Sequence, residues 1–299
     1  MIRKLMVCSD IHDDLESLST FVDYAQAQNA DRVIILGDMG LRPYTSQDLF
    51  DLIKTRNVDT FVEAKRIHSR QVFGEMKQTL DRTGIPFLVI PGNYDGNSDL
   101  EAVFGDNNLH KKTTQFCDAK LVGYGGADAN PSHIMLLYQL GEMESFDHQE
   151  LYDLLTNQTP DICMIHNPPQ GLCDNMFNGQ NVGTPATTKY ILESAPKLVL
   201  SGHIHEAGPN GNNPQGVKGI SKYQNPRNNK STFVLNPGNL GQFELIDPQT
   251  LNSVRKFDFG TFMEVNVEED GTPVNVIAYT LQSKSNSVGD VKKLYGYDL

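Results

Sequence analysis

Two carboxylates, one amide and four imidazoles stand directly after short apolar runs in this 299-residue chain. Leu5 to Cys8 leads into Ser9, Asp10, Ile11 and His12, and Val33 to Leu36 leads into Gly37 and Asp38. Phe87 to Ile90 leads into Pro91, Gly92 and Asn93, Ile162 to Ile165 into His166, and Leu198 to Leu200 into Gly202, His203, Ile204 and His205. Oxygen and nitrogen donors mixed in this way suit Mn, Fe, Zn, Co or Ni better than Mg alone or a thiolate zinc site. Seven donors exceed what one tetrahedral ion takes, whereas two ions about 3.5 to 4 Å apart that share a bridging carboxylate would use them all. Such a pair lowers the pKa of a bound water toward about 7 and grips two oxygens of a phosphate. A DxH, a GD or an HxH on its own is common, and a single buried His is more often a satisfied core group than a ligand. The order and the shared position at strand ends carry the metal reading.

Those residues need a scaffold that brings them together. Each apolar run is short, rich in Val, Ile and Leu and bounded by turn residues, as expected of strands buried on both faces. The ends of parallel strands converge on one edge, where open α/β sheets bind ligands, and a Gly before the functional residue lets the chain turn sharply. Between the runs lie helical periods. Asp13 and Glu16 read as a capping box ahead of Leu15, Leu18, Val22 and Ala25 on one face. Val58, Phe61, Val62, Ile67, Phe73, Met76 and Leu80 predict one long helix or two. Late in the chain the period changes to two: Met263, Val265 and Val267, a turn at Glu269, Asp270 and Gly271, then Val274, Val276 and Ala278 predict an antiparallel hairpin. The expected fold is α/β, layered sheets with helices outside, in one domain spanning 1–299. A helical excursion at about 41–83 and a long loop at about 206–231 interrupt it, and the loop carries Lys218, Lys222, Arg227 and Lys230.

A net charge of -12 and a pI near 5.0 disfavour binding along nucleic acid or an anionic membrane. A small anion held by a local positive centre stays compatible with it. The four cysteines form no CxxC pair, and reduced structural thiols are expected. No apolar run approaches a membrane span, and a cleaved leader would remove Asp10, so cytoplasmic residence is the expectation.

Asp10 and His12 as DxH, Asp38 as GD, Asn93 as GN, His166 alone, and His203 and His205 as GHxH together resemble the calcineurin-like metallophosphoesterase superfamily. HNPPQG from His166 looks like the HxPP turn of its small bacterial and archaeal branch, and LNPGNLG from Leu235 is similar to the NPG turn after its last core strand. The resemblance runs from Asp10 to about Gly238. It implies a two-sheet β-sandwich flanked by helices, four layers in all, with a dinuclear site at the strand ends. It further implies that Asp10, His12, Asp38 and His205 hold the first of two divalent ions, and Asp38, Asn93, His166 and His203 the second, with Asp38 the bridge and Mn the favoured metal. A bridging hydroxide would attack phosphorus in line, with the Asn93 amide helping to stabilise the developing charge.

The sequence departs from that pattern at Tyr94. Many relatives have His there, thought to protonate the leaving oxygen, followed by an acid that orients it; here a phenol precedes Asp95. Three readings of Tyr94 stay open: a general acid, since an unperturbed phenol keeps its proton to a pKa near 10; a group that stacks on or hydrogen-bonds substrate; and an aromatic that packs at the rim. Without an imidazole acid, small or nucleotide-like phosphodiesters and activated phosphates with good leaving groups are the expected substrates. A phosphomonoesterase, a nucleotide phosphatase and a metal-binding scaffold with little turnover are the alternatives. Gly183, Thr184 and Pro185 read as a helix start that adds a weak signal for phosphate. The oligomeric state has no signature in the sequence.

Overall fold

Alternate residues along each strand decide which layer of the molecule they enter. The computed structural model describes residues 1–41, 46–128, 144, 146–209, 218–226, 228–246, 253–281 and 290–299. The first sheet contains β1 (Ile2–Cys8), β2 (Arg32–Ile35), β3 (Phe87–Val89), β12 (Gly260–Glu268), β13 (Pro273–Leu281) and β14 (Val291–Asp298), in the order β14-β13-β12-β1-β2-β3. The second contains β4 (Thr113–Phe116), β5 (Ala119–Tyr124), β6 (Ile162–Ile165), β7 (Leu198–Leu200), β8 (Ile220–Gln224) and β9 (Ser231–Leu235), in the order β4-β5-β6-β7-β9-β8. Every apolar run noted in the sequence is one of these strands.

In β1, Leu5 and Val7 point inward and meet Leu121, Ile162, Met164, Leu200 and Leu235 of the other sheet in one buried layer. Met6 and Cys8 point the other way, onto α1 (Leu15–Ala27), α3 (Val58–Asp81) and α4 (Asn97–Phe104) through Leu18, Phe21, Phe73, Met76 and Phe104. The second sheet does the same on its far side. Val122, Cys163, Ile165 and Val199 pack against Leu151, Leu155, Tyr190 and Ile191 of α5 (His148–Gln158) and α6 (Pro185–Ser194). Helices, two sheets and helices therefore form four layers, which is why these strands read as continuous apolar runs. Each fully buried Leu, Ile or Val contributes about 1.5–3 kcal/mol relative to exposure.

The late hairpin is present: Met263 pairs with Ala278 and Val265 with Val276, all buried. Two expectations need correction, the cap of α1 and the long loop, while the helical excursion is present as expected. The cap of α1 is Asp14, whose carboxylate accepts from Ser17 N at 3.1 Å and Ser17 Oγ at 2.8 Å, while Asp13 has a left-handed φ of 65° and accepts from Leu41 N at 3.0 Å. The helical excursion has two helices, α2 (Ser46–Thr55) and the 24-residue α3, and Asn57 caps the second by accepting from Thr60 N. The long loop contains β8, an edge strand antiparallel to β9; Arg227 and residues 210–217 lie outside the described residues. Among the described residues no helix is long and apolar enough to cross a membrane.

Candidate metal centre

Parallel pairing of β1, β2 and β3, and of β5, β6, β7 and β9, puts the carboxyl ends of all these strands on one edge of the sandwich. The chain leaves that edge in strained turns. Asp10, His12, Asp38 and His203 all have positive φ, at 54°, 50°, 48° and 62°. Non-Gly residues held there cost on the order of 1–3 kcal/mol each, and such strain clusters at functional sites. Close approach fixes the glycines beside them. A Cβ on Gly92 would lie 2.1 Å from Asp38 N, and one on Gly202 would lie 1.9 Å from Ser9 Oγ and 2.8 Å from Asp10 Oδ2.

Two groups of donor atoms result: Asp10, His12 and His205, and Asp38, His166 and His203, each with its ligand atoms within 4.8 Å of one another. In the first, Asp10 Oδ1 is 3.0 Å from His205 Nε2 and 3.9 Å from His12 Nε2, and the two Nε2 atoms are 3.5 Å apart. In the second, His166 Nε2 lies 3.6 Å from Asp38 Oδ2 and 3.4 Å from Asn93 Oδ1. His166 Nδ1 donates to Leu36 O at 2.6 Å, which fixes the ring's orientation and turns Nε2 toward Asp38 and Asn93. His203 N donates to Asp10 Oδ2 at 3.0 Å, so each group is tied to the other through the backbone. The charge of Asp38 raises the pKa of His12 and of His203, against the effect of their burial.

Burial sets the protonation. It pushes His12 and His203 down to about 4 and keeps both rings neutral at pH 7, although the nearby carboxylates oppose it. Burial alone would also lower His166 and raise Asp38 and Asp10. The mutual attraction of these groups reverses both trends: His166 rises to about 9, and the two carboxylates fall below their usual range. Two buried carboxylates and four imidazoles, two of them buried and two partly so, thus face one another, with the ligand atoms of each group within 4.8 Å. His12 Nδ1 has no hydrogen-bond partner among the described residues. His12 and His203 are already neutral and both carboxylates ionised, the forms that bind metal, and an ion at His166 would displace its proton, so the set fits divalent cations.

A pocket of about 160 Å³ opens on these groups, lined by His12, Asp38, Asn93, His203 and His205 together with Leu41, Tyr94, Phe243 and Glu244. Two larger cavities, about 330 Å³ between α2 and α3 and about 720 Å³ at the opposite end of the second sheet, contain none of the seven donors. Lys222 and Lys230 line the second of these, away from the metal-competent edge. Neither Gly183 nor Thr184 lines the small pocket, and Thr184 Oγ1 is 3.0 Å from His148 Nδ1. Tyr94 reaches the pocket, and its N–H donates to Asp38 Oδ1 at 2.9 Å. Asp95 does not reach it. Fully buried, it accepts from Gly92 N at 2.8 Å, Gly40 N at 2.9 Å and Met39 N at 3.0 Å, and burial with the charge of Asp38 raises it to about 6.

One wall has no counterpart in the sequence reading. A third, two-stranded sheet of β10 (Phe243–Ile246) and β11 (Ser253–Phe257) brings Phe243 to 4.2 Å from the His12 ring and 5.0 Å from the His205 ring. Phe257 stacks on Phe243 at 4.9 Å and meets His205 at 5.2 Å. The signal is the pair of aromatic residues Phe243 and Phe257, too sparse a pattern to stand out in the sequence.

The comparisons with known proteins agree with this geometry. The family model described as calcineurin-like phosphoesterase matches residues 3–207. A search of curated proteins found no match. Among solved structures, a protein of Thermus thermophilus aligns at 19% identity with a TM-score of 0.51, covering 85% of this chain and 97% of its own. A dimetal phosphatase from Danio rerio aligns at 9% identity with a TM-score of 0.52, covering 92% of this chain and 95% of its own. At such identities the likeness is one of fold.

Proposed function

This chain belongs to the calcineurin-like phosphoesterase family and is a phosphoester hydrolase, and from that premise we propose that it cleaves small or nucleotide-like phosphodiesters with two divalent ions. The observation that supports this most is the pair of donor groups around one pocket. Asp10, His12, Asp38 and His205 would hold one ion and Asp38, Asn93, His166 and His203 the other; manganese is favoured among Mn, Fe, Zn, Co and Ni. Bound there, the ions supply Lewis acidity and a nucleophile at neutral pH.

The protein's own groups do the rest. The Leu36 carbonyl holds the His166 proton on Nδ1, and Asp10 Oδ2 holds the His203 backbone. Phe243 and Phe257 exclude water from His12 and His205. The Asn93 amide would present Nδ2–H to a phosphoryl oxygen, and Tyr94, which lines the same pocket, would stand near the leaving oxygen. A phenol is a weaker proton donor than imidazolium at neutral pH, which favours leaving groups that need little help. We further propose one domain over 1–299, residence in the cytoplasm, and small phosphorylated molecules as partners, with no nucleic-acid polymer against a charge of -12.

The test is hydrolysis of an aryl phosphodiester and its monoester after manganese loading, beside Asp38→Asn. Diester turnover that disappears in the variant is expected. No turnover of either ester, with two metals bound per chain, would refute the proposal and leave the scaffold reading, for which Tyr94 is the supporting feature.

A further inference from the structure

The β10–β11 hairpin lies beyond residue 207, where the family match ends. It is nevertheless part of the site. Phe243 rests on two of the donor rings, and Arg255 clamps the other strand, its guanidinium 3.7 Å above the Phe177 ring and 5.3 Å from that of Phe257. With Phe243 fixed, the next residue, Glu244, is part of the pocket wall. Lys256 is its cross-strand partner and feels its charge, but Lys256 Nζ lies 2.9 Å from Asp258 Oδ1, the stronger of the two attractions. Among the described residues no Lys or Arg lines the pocket, so the side-chain charge that this hairpin adds at its mouth is negative.

We infer that Glu244 is a specificity-determining residue that favours singly charged phosphodiesters over doubly charged phosphomonoesters. The inference rests on the phosphoester hydrolase reading and deepens it. A phosphomonoester carries about -1.5 to -2 near pH 7, because its second pKa is about 6, whereas a diester carries one charge. Cations in the site attract both, so selectivity depends on what meets the extra charge. In a pocket of about 160 Å³, a carboxylate in the wall lies within about one Debye length, roughly 8 Å, of a bound phosphoryl group. Glu244 is exposed, so salt screens it, and at that distance one extra unit of like charge weakens binding by up to about fourfold, depending on the effective dielectric. Arginine or lysine in the same place would invert the preference.

The experiment compares wild type, Glu244→Gln and Glu244→Lys in manganese-loaded form, with three readouts. The first is the ratio of kcat/KM for an aryl monoester to that for the matching diester, at low and high salt. The second is equilibrium binding of inorganic phosphate by calorimetry, which needs no turnover. The third is metal content. A monoester-to-diester ratio raised severalfold in Glu244→Gln and further in Glu244→Lys, mainly through KM for the monoester, is expected. Phosphate should bind more tightly in the same order, high salt should shrink both effects, and metal content should stay unchanged. An unchanged ratio with unchanged phosphate binding would overturn the inference while leaving diester hydrolysis by wild type intact. Loss of metal in Glu244→Gln would overturn it too, by making Glu244 a ligand. Failure of the underlying reading shows separately, as a wild type that cleaves neither ester.

Discussion

Asp95 Oδ2 accepts the backbone N–H of Met39 at 3.0 Å, so the carboxylate next to Tyr94 in sequence serves the loop that carries Asp38. The same carboxylate holds Gly40 N and Gly92 N, tying the turn after β2 to the turn after β3. Asp95→Ala leaves three buried N–H groups without an acceptor and, at about 1–3 kcal/mol for each, should lower stability by at least about 3 kcal/mol in all. Metal affinity should fall about 10- to 100-fold, as for other groups that position ligands. Calorimetric unfolding and metal titration check this. Full metal affinity in the variant would mean that the turns hold without the carboxylate.

Two glycine substitutions should act in opposite directions. Gly74 sits inside α3, where an added methyl group would meet nothing within 4 Å, and Gly74→Ala should stabilise the protein by about 0.5–1 kcal/mol. Gly92→Ala places a Cβ 2.1 Å from Asp38 N, a backbone atom that cannot rotate away. It should displace Asp38 and abolish activity, with a lower melting temperature. Melting curves and the diester assay on both variants decide the matter.

What is legible in the sequence follows from burial on two sides. Strands such as β6 and β7 meet helices on one face and the other sheet on the opposite face, so Ile162 to Ile165 and Leu198 to Leu200 stand out as apolar runs, and the residues after them identify the edge. Elements with one wet face are harder to see. In β8, Ile220, Ser221, Lys222, Tyr223 and Gln224 are all at least partly accessible, and the strand reads as part of a loop. The cap of α1 falls one residue from its expected place because Asp13 and Asp14 are adjacent and only the backbone direction tells them apart. The partners of Asp95 are hidden for another reason: three N–H groups from two different loops specify them, and sequence proximity to Tyr94 says nothing of those loops.

The thiols should divide three to one. Cys8, Cys163 and Cys173 are buried, and burial raises all three, Cys173 to about 12. Cys117 is exposed. The thiolate is the reactive form, so a colorimetric thiol reagent at pH 8 should modify one cysteine quickly in the native protein and four after denaturation. Fast reaction of a second native thiol would contradict the packing of these strands.

Part of the acid stability should come from an ion pair at the end of the molecule opposite the metal-competent edge. Lys197 Nζ lies 2.9 Å from Asp270 Oδ2, and this contact, with Thr272, lowers Asp270 to about 2. Its folded value lies below the unfolded value of about 3.9, so the stability it contributes is present above that pH and is lost as pH falls toward 2. The pair is exposed, and its contribution should stay under about 1 kcal/mol. Lys197→Met should flatten the loss of stability between about pH 4 and pH 2 by that amount, read by denaturant titration at each pH.

Substitutions at Tyr94, which lines the pocket, should show whether it takes part in leaving-group departure. Its N–H is committed to Asp38 Oδ1, which a substitution of the side chain preserves, and its ring edge faces His12 with centroids 6.3 Å apart. The position therefore accepts an imidazole without moving Asp38. A well-placed general acid is worth about 10²- to 10⁴-fold, and it matters most when the leaving oxygen is a poor one. Tyr94→His should therefore raise turnover of an alkyl phosphodiester by at least about tenfold. It should leave a nitroaryl diester nearly unchanged, because that leaving group departs without a proton. Tyr94→Phe should leave the nitroaryl rate intact and slow the alkyl ester if the phenol donates. The slope of log kcat against leaving-group pKa, measured for the three proteins, reads this directly: it should be steepest for Tyr94→Phe and shallowest for Tyr94→His. Equal slopes in all three would remove Tyr94 from proton transfer and leave it as a wall of the pocket.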